Sequence, residues 1–158
     1  MVKIIECDFE NSLHCNAVIE LMNHYMASKM GGNLPPYDNE AADRVINGLK
    51  SHPSKLVLLA TNKEEFIGLS NSFINFGTFT AKPFINIHDI VVLEKYRGLG
   101  IGRQLMEANI KKAEQLNCGK ITLEVRVDNT NAQSLYSSLG FEESKPVMHF
   151  WTKNIETK

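Results

Sequence analysis

The stretch Val92-Leu-Glu-Lys-Tyr-Arg-Gly-Leu-Gly-Ile-Gly-Arg-Gln-Leu-Met106 places three glycines at every second position, between an apolar segment and a helix-like segment. Glycine permits positive φ and a close approach of the backbone to a ligand. The first N–H groups of the following helix lack partners within the helix, and the helix dipole makes that end partly positive. The stretch therefore predicts a strand–turn–helix unit that either binds an anion or is a plain glycine-rich turn. Arg97 either adds a positive charge there or is a solvated loop residue.

The spacing of the glycines argues against two common nucleotide-binding motifs. A P-loop needs Lys followed by Ser or Thr after its last glycine, whereas Arg103 and Gln104 follow Gly102. The dinucleotide motif G-x-G-x-x-G does not match either, because the third glycine comes one position too early. A nucleotide-phosphate binder is therefore a weak reading of this loop.

Hydrophobic periodicity and turn residues predict ten elements in the order β-α-α-β-β-β-α-β-α-β. Strands are expected at 3–8, 55–61, 66–76, 84–93, 120–127 and 146–154, and helices at 11–30, 39–50, 102–117 and 129–140. The strand 84–93 is apolar on both faces at its end, as in a central strand. A mixed α/β or α+β sheet follows, with one crossover through the helix that begins after the glycines.

Composition narrows the class of protein. The chain has 158 residues and a formal net charge of −1, which is typical of a single domain and argues against a nucleic-acid-binding surface. No apolar run approaches the length that spans a membrane, and the acidic N-terminal segment does not resemble a secretory signal. The three cysteines lack metal-ligand spacing, so we expect no metal site, no disulfide framework and a reducing, cytoplasmic location.

A second segment gives the glycine loop a more specific interpretation. Residues 129–141, Asn-Thr-Asn-Ala-Gln-Ser-Leu-Tyr-Ser-Ser-Leu-Gly-Phe, match the pattern N-x-x-A-x-x-L-Y-x-x-x-G-F, and residues 97–102 match R/Q-x-x-G-x-G/A. Together these segments resemble the GNAT family of acetyl-CoA-dependent N-acetyltransferases over about residues 84–142. One departure is Glu94, where such proteins often carry proline.

The resemblance implies a fold and a cofactor site. The fold is a mixed, mostly antiparallel central sheet of about six or seven strands flanked by about four helices, in one domain over residues 1–158. Acetyl-CoA is the co-substrate, and no metal is implied. The resemblance places its pyrophosphate on the loop, its pantetheine arm along the preceding strand, and Asn129 against the same arm. The implied cofactor-binding residues are Ile90, Val91, Val92, Arg97, Gly98, Leu99, Gly100, Ile101, Gly102, Arg103, Asn129 and Ala132.

Acetyl transfer to an amine needs a neutral amine, a stabilised carbonyl oxygen and a protonated leaving thiolate. Backbone N–H groups near Val91 and Val92 are candidates for the carbonyl oxygen, provided that the strand is distorted there. The resemblance assigns Tyr136 as the general acid for the thiolate; the alternative is a core tyrosine on a short helix. Cys118 lies at the far end of the helix from the glycines, so we expect direct attack on acetyl-CoA without an acyl-enzyme.

The base is expected on the strand that precedes the loop. Strict alternation puts Asn86 and His88 on one face with Ile90 and Val92, and Asp89 with Val91 on the other. Many relatives carry a glutamate at positions matching Asn86 or His88, and this chain has neither. Imidazole changes charge near neutral pH, so His88 is either the base, directly or through a water, or a structural histidine. Asp89, on the opposite face, is expected to be structural.

The family's acceptor pocket usually forms near residues 31–38 and 76–80. Candidate lining residues are Tyr25, Tyr37, Asp38, Phe76, Phe79 and Asn86. The sequence thus predicts an N-acetyltransferase that acts on a small amine or a protein amine. The competing interpretation is a non-enzymatic acyl-CoA-binding or regulatory module, because the strand glutamate is missing. Neither nucleic acid nor a membrane is an expected partner, and the oligomeric state is left open, a homodimer included.

Overall fold

The computed structural model describes residues 1–156. The chain divides into two compact units, Met1–Arg126 and Val127–Lys158. The described part of the second unit contains one helix, α4 (Thr130–Ser138), and the first unit contains all the other elements. These are β1 (Val2–Glu6), α1 (Ser12–Ala27), α2 (Asn39–Ser51), β2 (Lys55–Asn62), β3 (Glu65–Gly77), β4 (Lys82–Val92), a 3-10 turn (Glu94–Tyr96), α3 (Ile101–Gln115) and β5 (Ile121–Leu123).

The five strands form one sheet in the order β1-β2-β3-β4-β5. The first four strands pair antiparallel. β5 pairs with β4 in parallel, and the chain passes through α3 between them. The sheet is therefore mixed and mostly antiparallel, which confirms the predicted fold class and the crossover. The four α-helices of the described chain also agree with the expected number.

The expected number of strands was too high. Residues 146–154 form neither strand nor helix, and the strand predicted over 120–127 is limited to Ile121–Leu123. Most apolar side chains of the last segment are exposed; for example, Trp151 is 87% and Phe150 is 76% exposed. Strand propensity depends on a pairing partner and a buried face, and a short apolar segment cannot supply these by its own composition.

Local sequence signals explain where the first two helices begin. The side chain of Asn11 accepts a hydrogen bond from the N–H of Leu13 and caps α1. Asp38 does the same for α2, where its Oδ1 accepts from the N–H of Ala41 at 2.7 Å. Such caps satisfy backbone donors that have no partner within the helix, and each contributes about 1 kcal/mol. None of the helices in the described chain combines the length and apolar character that a membrane crossing requires.

One face of the sheet packs against α1. Val18 and Leu21 of α1 lie on Val57, Leu59 and other strand residues, and all of these side chains are nearly inaccessible to solvent. Burial of each side chain of this size stabilises the fold by roughly 1.5–3 kcal/mol. The apolar spacing of α1 therefore decides which side of the helix lies on the sheet.

The opposite face of the sheet packs against α3. A Cβ added to Gly68 of β3 would lie 3.2 Å from Cδ1 of Leu105 and 2.9 Å from the carbonyl oxygen of Val91, so only glycine permits this close approach. Nearby, Asn109 of α3 is fully buried and hydrogen-bonds both Ser70 and Ser72 of β3, at 3.0 and 2.9 Å. Since the groups satisfy each other, this polar cluster sets the position of α3 on the sheet without an unpaired donor.

Candidate active site

The glycine loop joins β4 to the start of α3. Gly98 and Gly100 have φ of 76° and 78°, a conformation that favours glycine. Gly100 is the N-cap of α3 and offers no side-chain cap, so the amides of Ile101, Gly102 and Arg103 precede the first helical hydrogen bond. A Cβ at Gly98 or Gly100 would meet no atom within 4 Å. The loop therefore presents backbone donors to open space, as an anion site requires.

Side chains hold this loop in place. The Nε of Arg97 donates to the carbonyl oxygen of Val92 at 3.2 Å, and the arginine is exposed. Ile101 is 3% exposed and anchors the start of α3, whereas Leu99 is 64% exposed. Arg103 lies 3.8 Å from Glu107 along the helix. The predicted loop residues are thus brought together, with positive charge on both sides of the glycines.

The end of β4 has an open edge. β5 pairs only with Ile85–Ile87, and no strand of the described chain continues along that edge. The N–H of Leu93 donates to a β3 carbonyl at 3.0 Å. Because backbone groups alternate between the two edges of a strand, those of Val91 face β3 and those of Ile90 and Val92 face the open edge. Of the two amides considered from the sequence, that of Val92 is thus available to a ligand.

A β-bulge changes the faces of β4. Asn71 of β3 pairs with Asp89, but the next residue, Ser72, pairs with Ile87, so His88 has no residue opposite it. An extra residue of this kind shifts the alternation of side chains by one. His88 and Asp89 therefore lie on the same face of the sheet, and the prediction that they lie on opposite faces was wrong. Strict alternation does not continue through a bulge.

Both side chains line a cavity of about 380 Å³ between the sheet and helices α1 and α2. His88 is exposed, and its ring lies edge-on to Phe73 with 5.0 Å between the centroids. The cavity is lined by Met22, Tyr37, Arg44, Val45, Gly48, Leu49, His52, Asn71, Phe73, His88 and Asp89. Its lining combines apolar walls with a few polar groups near the bulge, as is typical of small-molecule sites.

The electrostatics of this cavity centre on Asp89. Burial raises the pKa of its carboxyl above the ordinary value of 3.8, against the hydrogen bond from Asn71 and the charge of His88, which lower it. The Nδ2 of Asn71 donates to Oδ2 of Asp89 at 3.2 Å. Burial raises the pKa of the Tyr25 and Tyr37 phenols as well, and the charge of Asp89 raises them further. Asp89, which we expected to be structural, is therefore also a functional candidate.

The predicted acceptor residues separate into two groups. Tyr37 lines the cavity, and its N–H donates to the side chain of Asn23 on α1 at 2.9 Å. Tyr25 is half-buried and close enough for Asp89 to affect its pKa. Of the predicted acceptor residues, Tyr37 thus lies at the cavity and Tyr25 lies near it.

The other predicted acceptor residues have different surroundings. Asp38 is the exposed N-cap of α2. The Nδ2 of Asn86 donates to Oγ1 of Thr122 at 2.9 Å and ties β4 to β5. Phe76 is 64% exposed and Phe79 is fully exposed, near the turn that joins β3 to β4. None of these four predicted residues lines the cavity.

The second unit carries the remaining candidates. Asn129 is the N-cap of α4, and its Oδ1 accepts from the N–H of Ala132 at 3.3 Å. Tyr136 is 7% exposed, and its ring centroid lies 6.1 Å from that of Phe141. Gly140 follows the helix with a φ of 85°. The spacing of this segment thus has a local structural basis in a capped helix followed by a glycine turn.

Asn71 and Phe73 are functional candidates that sequence reasoning missed. Asn71 is 5% exposed, and its Oδ1 has no hydrogen-bond partner, although buried polar atoms usually have one. The run Ser70-Asn71-Ser72 inside an otherwise apolar central strand was the available signal. The direction of each side chain and the depth of the cavity could not be read from it.

A model of the acetyltransferase (GNAT) family matches residues 18–141, a span that runs through both units. The chain is 36% identical over 102 residues to N-alpha-acetyltransferase MAK3 of Arabidopsis thaliana, which covers 65% of this chain and 53% of that protein. Matches to the first curated relatives span about half of their length or less, 40% and 53%.

Solved structures share the fold. The crystal structure of a probable acetyltransferase superposes with a TM-score of 0.82 at 22% identity, and the match covers 99% of each chain. An aminoglycoside N-acetyltransferase in complex with CoA superposes with a TM-score of 0.75 at 18% identity, over 98% of this chain and 96% of that one.

Proposed function

Because the chain belongs to the GNAT family of acetyltransferases, we propose that it transfers an acetyl group from acetyl-CoA to a primary amine. The amine attacks the thioester directly, and no acyl-enzyme forms. The acceptor is a small amine or a protein amine.

The geometry of the glycine loop is the observation that carries this proposal. Gly98 and Gly100 adopt positive φ, and the space that their Cβ atoms would fill is open. The first amides of α3 and the nearby Arg97 and Arg103 suit the pyrophosphate of coenzyme A. The free edge at Ile90 and Val92 suits an extended pantetheine arm, because strand edges pair with extended chains.

Each step of the transfer has a candidate residue. Acetyl-CoA supplies the acetyl group as a thioester. The Val92 N–H on the open edge of β4 is placed to hydrogen-bond a developing oxyanion. His88 takes the proton of the attacking amine, directly or through a water, and Tyr136 gives a proton to the leaving thiolate.

The cysteines support direct attack. Burial, reinforced by Cys15, Asp8 and Glu6, raises the pKa of Cys7 to about 12. Burial also raises the pKa of Cys118. A thiol with a raised pKa is a poor nucleophile near neutral pH, so neither residue suits an acyl-enzyme mechanism.

Two measurements on the same preparation test the proposal. Isothermal titration with acetyl-CoA should show binding, and thiol release should rise when amines are added. Absence of binding at millimolar acetyl-CoA would contradict the whole proposal. Binding without thiol release for any amine would instead favour the non-enzymatic acyl-CoA-binding module.

A further inference from the structure

The cavity beside the bulge contains a buried acceptor atom without a donor. Asn71 is 5% exposed, and its Nδ2 donates both to Oδ2 of Asp89 at 3.2 Å and to Sδ of Met22 at 3.4 Å. This orientation is required, because the reversed amide would place a carbonyl oxygen against the carboxylate. The Oδ1 of Asn71 consequently has no partner. A buried acceptor left unsatisfied is unfavourable, so its presence in a cavity indicates a donor supplied by a ligand.

Asp89 adds a second acceptor next to the first. Within the described chain it forms no ion pair with a lysine or arginine, and His88 is the charged neighbour that lowers its pKa. Arg44, which also lines the cavity, pairs with Glu40 on its own helix at 3.2 Å. Two adjacent acceptors match the hydrogen-bond donors of an ammonium group.

The rest of the cavity wall is apolar. α2 has 13 residues, none of them buried, yet Val45 and Leu49 turn an apolar stripe toward the cavity. Met22 and Phe73 continue this apolar surface from α1 and β3. An amphipathic helix normally buries its apolar face, so this cavity fits an apolar group that completes the packing under α2.

We propose that the acceptor is a primary amine with an adjacent apolar side group, its nitrogen held by Oδ1 of Asn71 and by Asp89 and its side group lying against Val45, Leu49 and Phe73. This assignment rests on the proposed function and names the acceptor class for it. Asp89 is the only acidic residue of the described chain that lines the cavity, and Arg44 lies at the same cavity. A polyamine or another polycation would therefore find no second anion there.

Matched acceptors test this assignment. Thiol release from saturating acetyl-CoA is measured with leucinamide, serinamide and 1,4-diaminobutane, and with a peptide whose N-terminal residue is leucine. We expect kcat/KM for leucinamide to exceed that for serinamide by about 10- to 100-fold, the discrimination that an apolar pocket provides. A higher value for the peptide than for leucinamide identifies protein N-termini as the source of the amine; the reverse identifies small amines.

Variants of cavity residues test whether the preference for leucinamide arises in the cavity. Val45→Asp places a carboxylate on the apolar wall and should lower the preference for leucinamide while raising kcat/KM for 1,4-diaminobutane. Asn47→Asp adds the same charge to an exposed position of α2 outside the cavity and should change neither. Asn71→Ala should raise KM for leucinamide with no change in the Kd of acetyl-CoA, whereas Asn75→Ala, at an exposed position of β3, should leave both unchanged.

The outcomes separate this inference from the proposed function. Equal kcat/KM for leucinamide and serinamide, with turnover present, would overturn the acceptor class and leave the transferase intact. If thiol release is absent for every amine, the proposed function fails, and the cavity is then tested by titration of leucinamide into the CoA-bound protein. Binding that Val45→Asp abolishes supports the amine site, and absence of binding overturns it.

Discussion

Asp89 is the residue whose environment departs most from the sequence expectation. It is a carboxylate on a central strand, largely enclosed, beside one amide donor and an imidazole. A carboxylate in such a place is less stable ionised than it would be in water. A carboxylate that is disfavoured in this way and lines a cavity is a candidate for binding or catalysis.

Replacing Asp89 should change the thermal stability of the protein in a pH-dependent way. Because the pKa of Asp89 is raised above 3.8 in the folded protein, the folded state holds the proton more tightly than the unfolded state does. Its contribution to stability is then fully present below 3.8 and is lost as the pH rises through the folded pKa. Asp89→Asn should therefore raise Tm at pH 7, with a gain that shrinks as the pH falls toward 3.8. Thermal unfolding from pH 3 to 8 measures this.

The matched control for that experiment is Asp43→Asn, which removes an exposed carboxylate of α2. Its Tm should follow that of the wild type across the same pH range. A Tm difference for Asp89→Asn that does not vary with pH would show that the substitution acts by packing and not by charge.

His88 should determine the acidic limb of the pH–rate profile. A histidine that acts as a base must be neutral, so activity rises with pH as the imidazole loses its proton. His88→Ala is expected to flatten that limb. A limb that persists in His88→Ala and disappears in Asp89→Asn would transfer the base role to Asp89.

Tyr136→Phe tests the acid. Loss of the phenol should lower kcat by about 10²–10⁴-fold if the hydroxyl protonates the thiolate, with the Kd of acetyl-CoA unchanged. Stopped assays of thiol release and calorimetry measure the two quantities. An unaltered kcat would remove Tyr136 from the mechanism and leave it as a buried ring beside Phe141.

At the level of elements, the strand–loop–helix unit was the most predictable part of the molecule. β4, the glycine loop and α3 follow each other in sequence, and two of the contacts that shape the loop are local. Gly100 is the N-cap of α3, and the side chain of Arg97 donates a hydrogen bond to the carbonyl oxygen of Val92 at the end of β4. Local signals of this kind need no knowledge of the rest of the fold.

Gly100→Ala should weaken coenzyme binding specifically. The new Cβ would occupy the open space above the loop, and alanine resists the φ of 78° that the N-cap requires. Loss of one charge-assisted backbone hydrogen bond would raise the Kd of acetyl-CoA by about 10- to 100-fold. Isothermal titration measures the change.

Gly32→Ala provides the matched control. Gly32 also has a positive φ, 96°, and an added Cβ would come no closer than 3.7 Å to Cγ of Leu34. We expect the same strain, and so a similar fall in Tm, but an unchanged Kd for acetyl-CoA. A parallel rise of Kd in both variants would assign the effect to stability alone.

The least predictable elements were those that depend on a distant partner. β5 was expected over eight residues, 120–127, and pairs over three, while residues 146–154 form no strand. In both segments the apolar and β-branched composition is typical of strands. Whether such a segment pairs is decided by the edge available to it, which the sequence does not encode locally.

At the scale of the whole molecule, the reactivity of the Cys7 thiol distinguishes the folded from the unfolded protein. It follows β1, its N–H donates to the carbonyl oxygen of Val57 at 2.8 Å, and its side chain packs against the core under α1. With a pKa of about 12, its thiolate fraction at pH 8 is about 10⁻⁴. Iodoacetamide should therefore modify Cys7 rapidly only after unfolding. Peptide mapping by mass spectrometry in buffer and in urea measures this, and rapid labelling in buffer would contradict the enclosed thiol.

The sequence by itself determined the class of fold, the glycine loop and the family, because each depends on residues close together in the chain. The spacing of the glycines and the pattern that ends in Gly140 and Phe141 needed no three-dimensional information. Only the tertiary structure decided the cavity beside the bulge. One extra residue in β4 turns Asp89 to the face of His88, and the packing of α1 and α2 over β3 leaves the Oδ1 of Asn71 without a partner. These features arise from the pairing of separate strands and helices, and therefore no local pattern could indicate them.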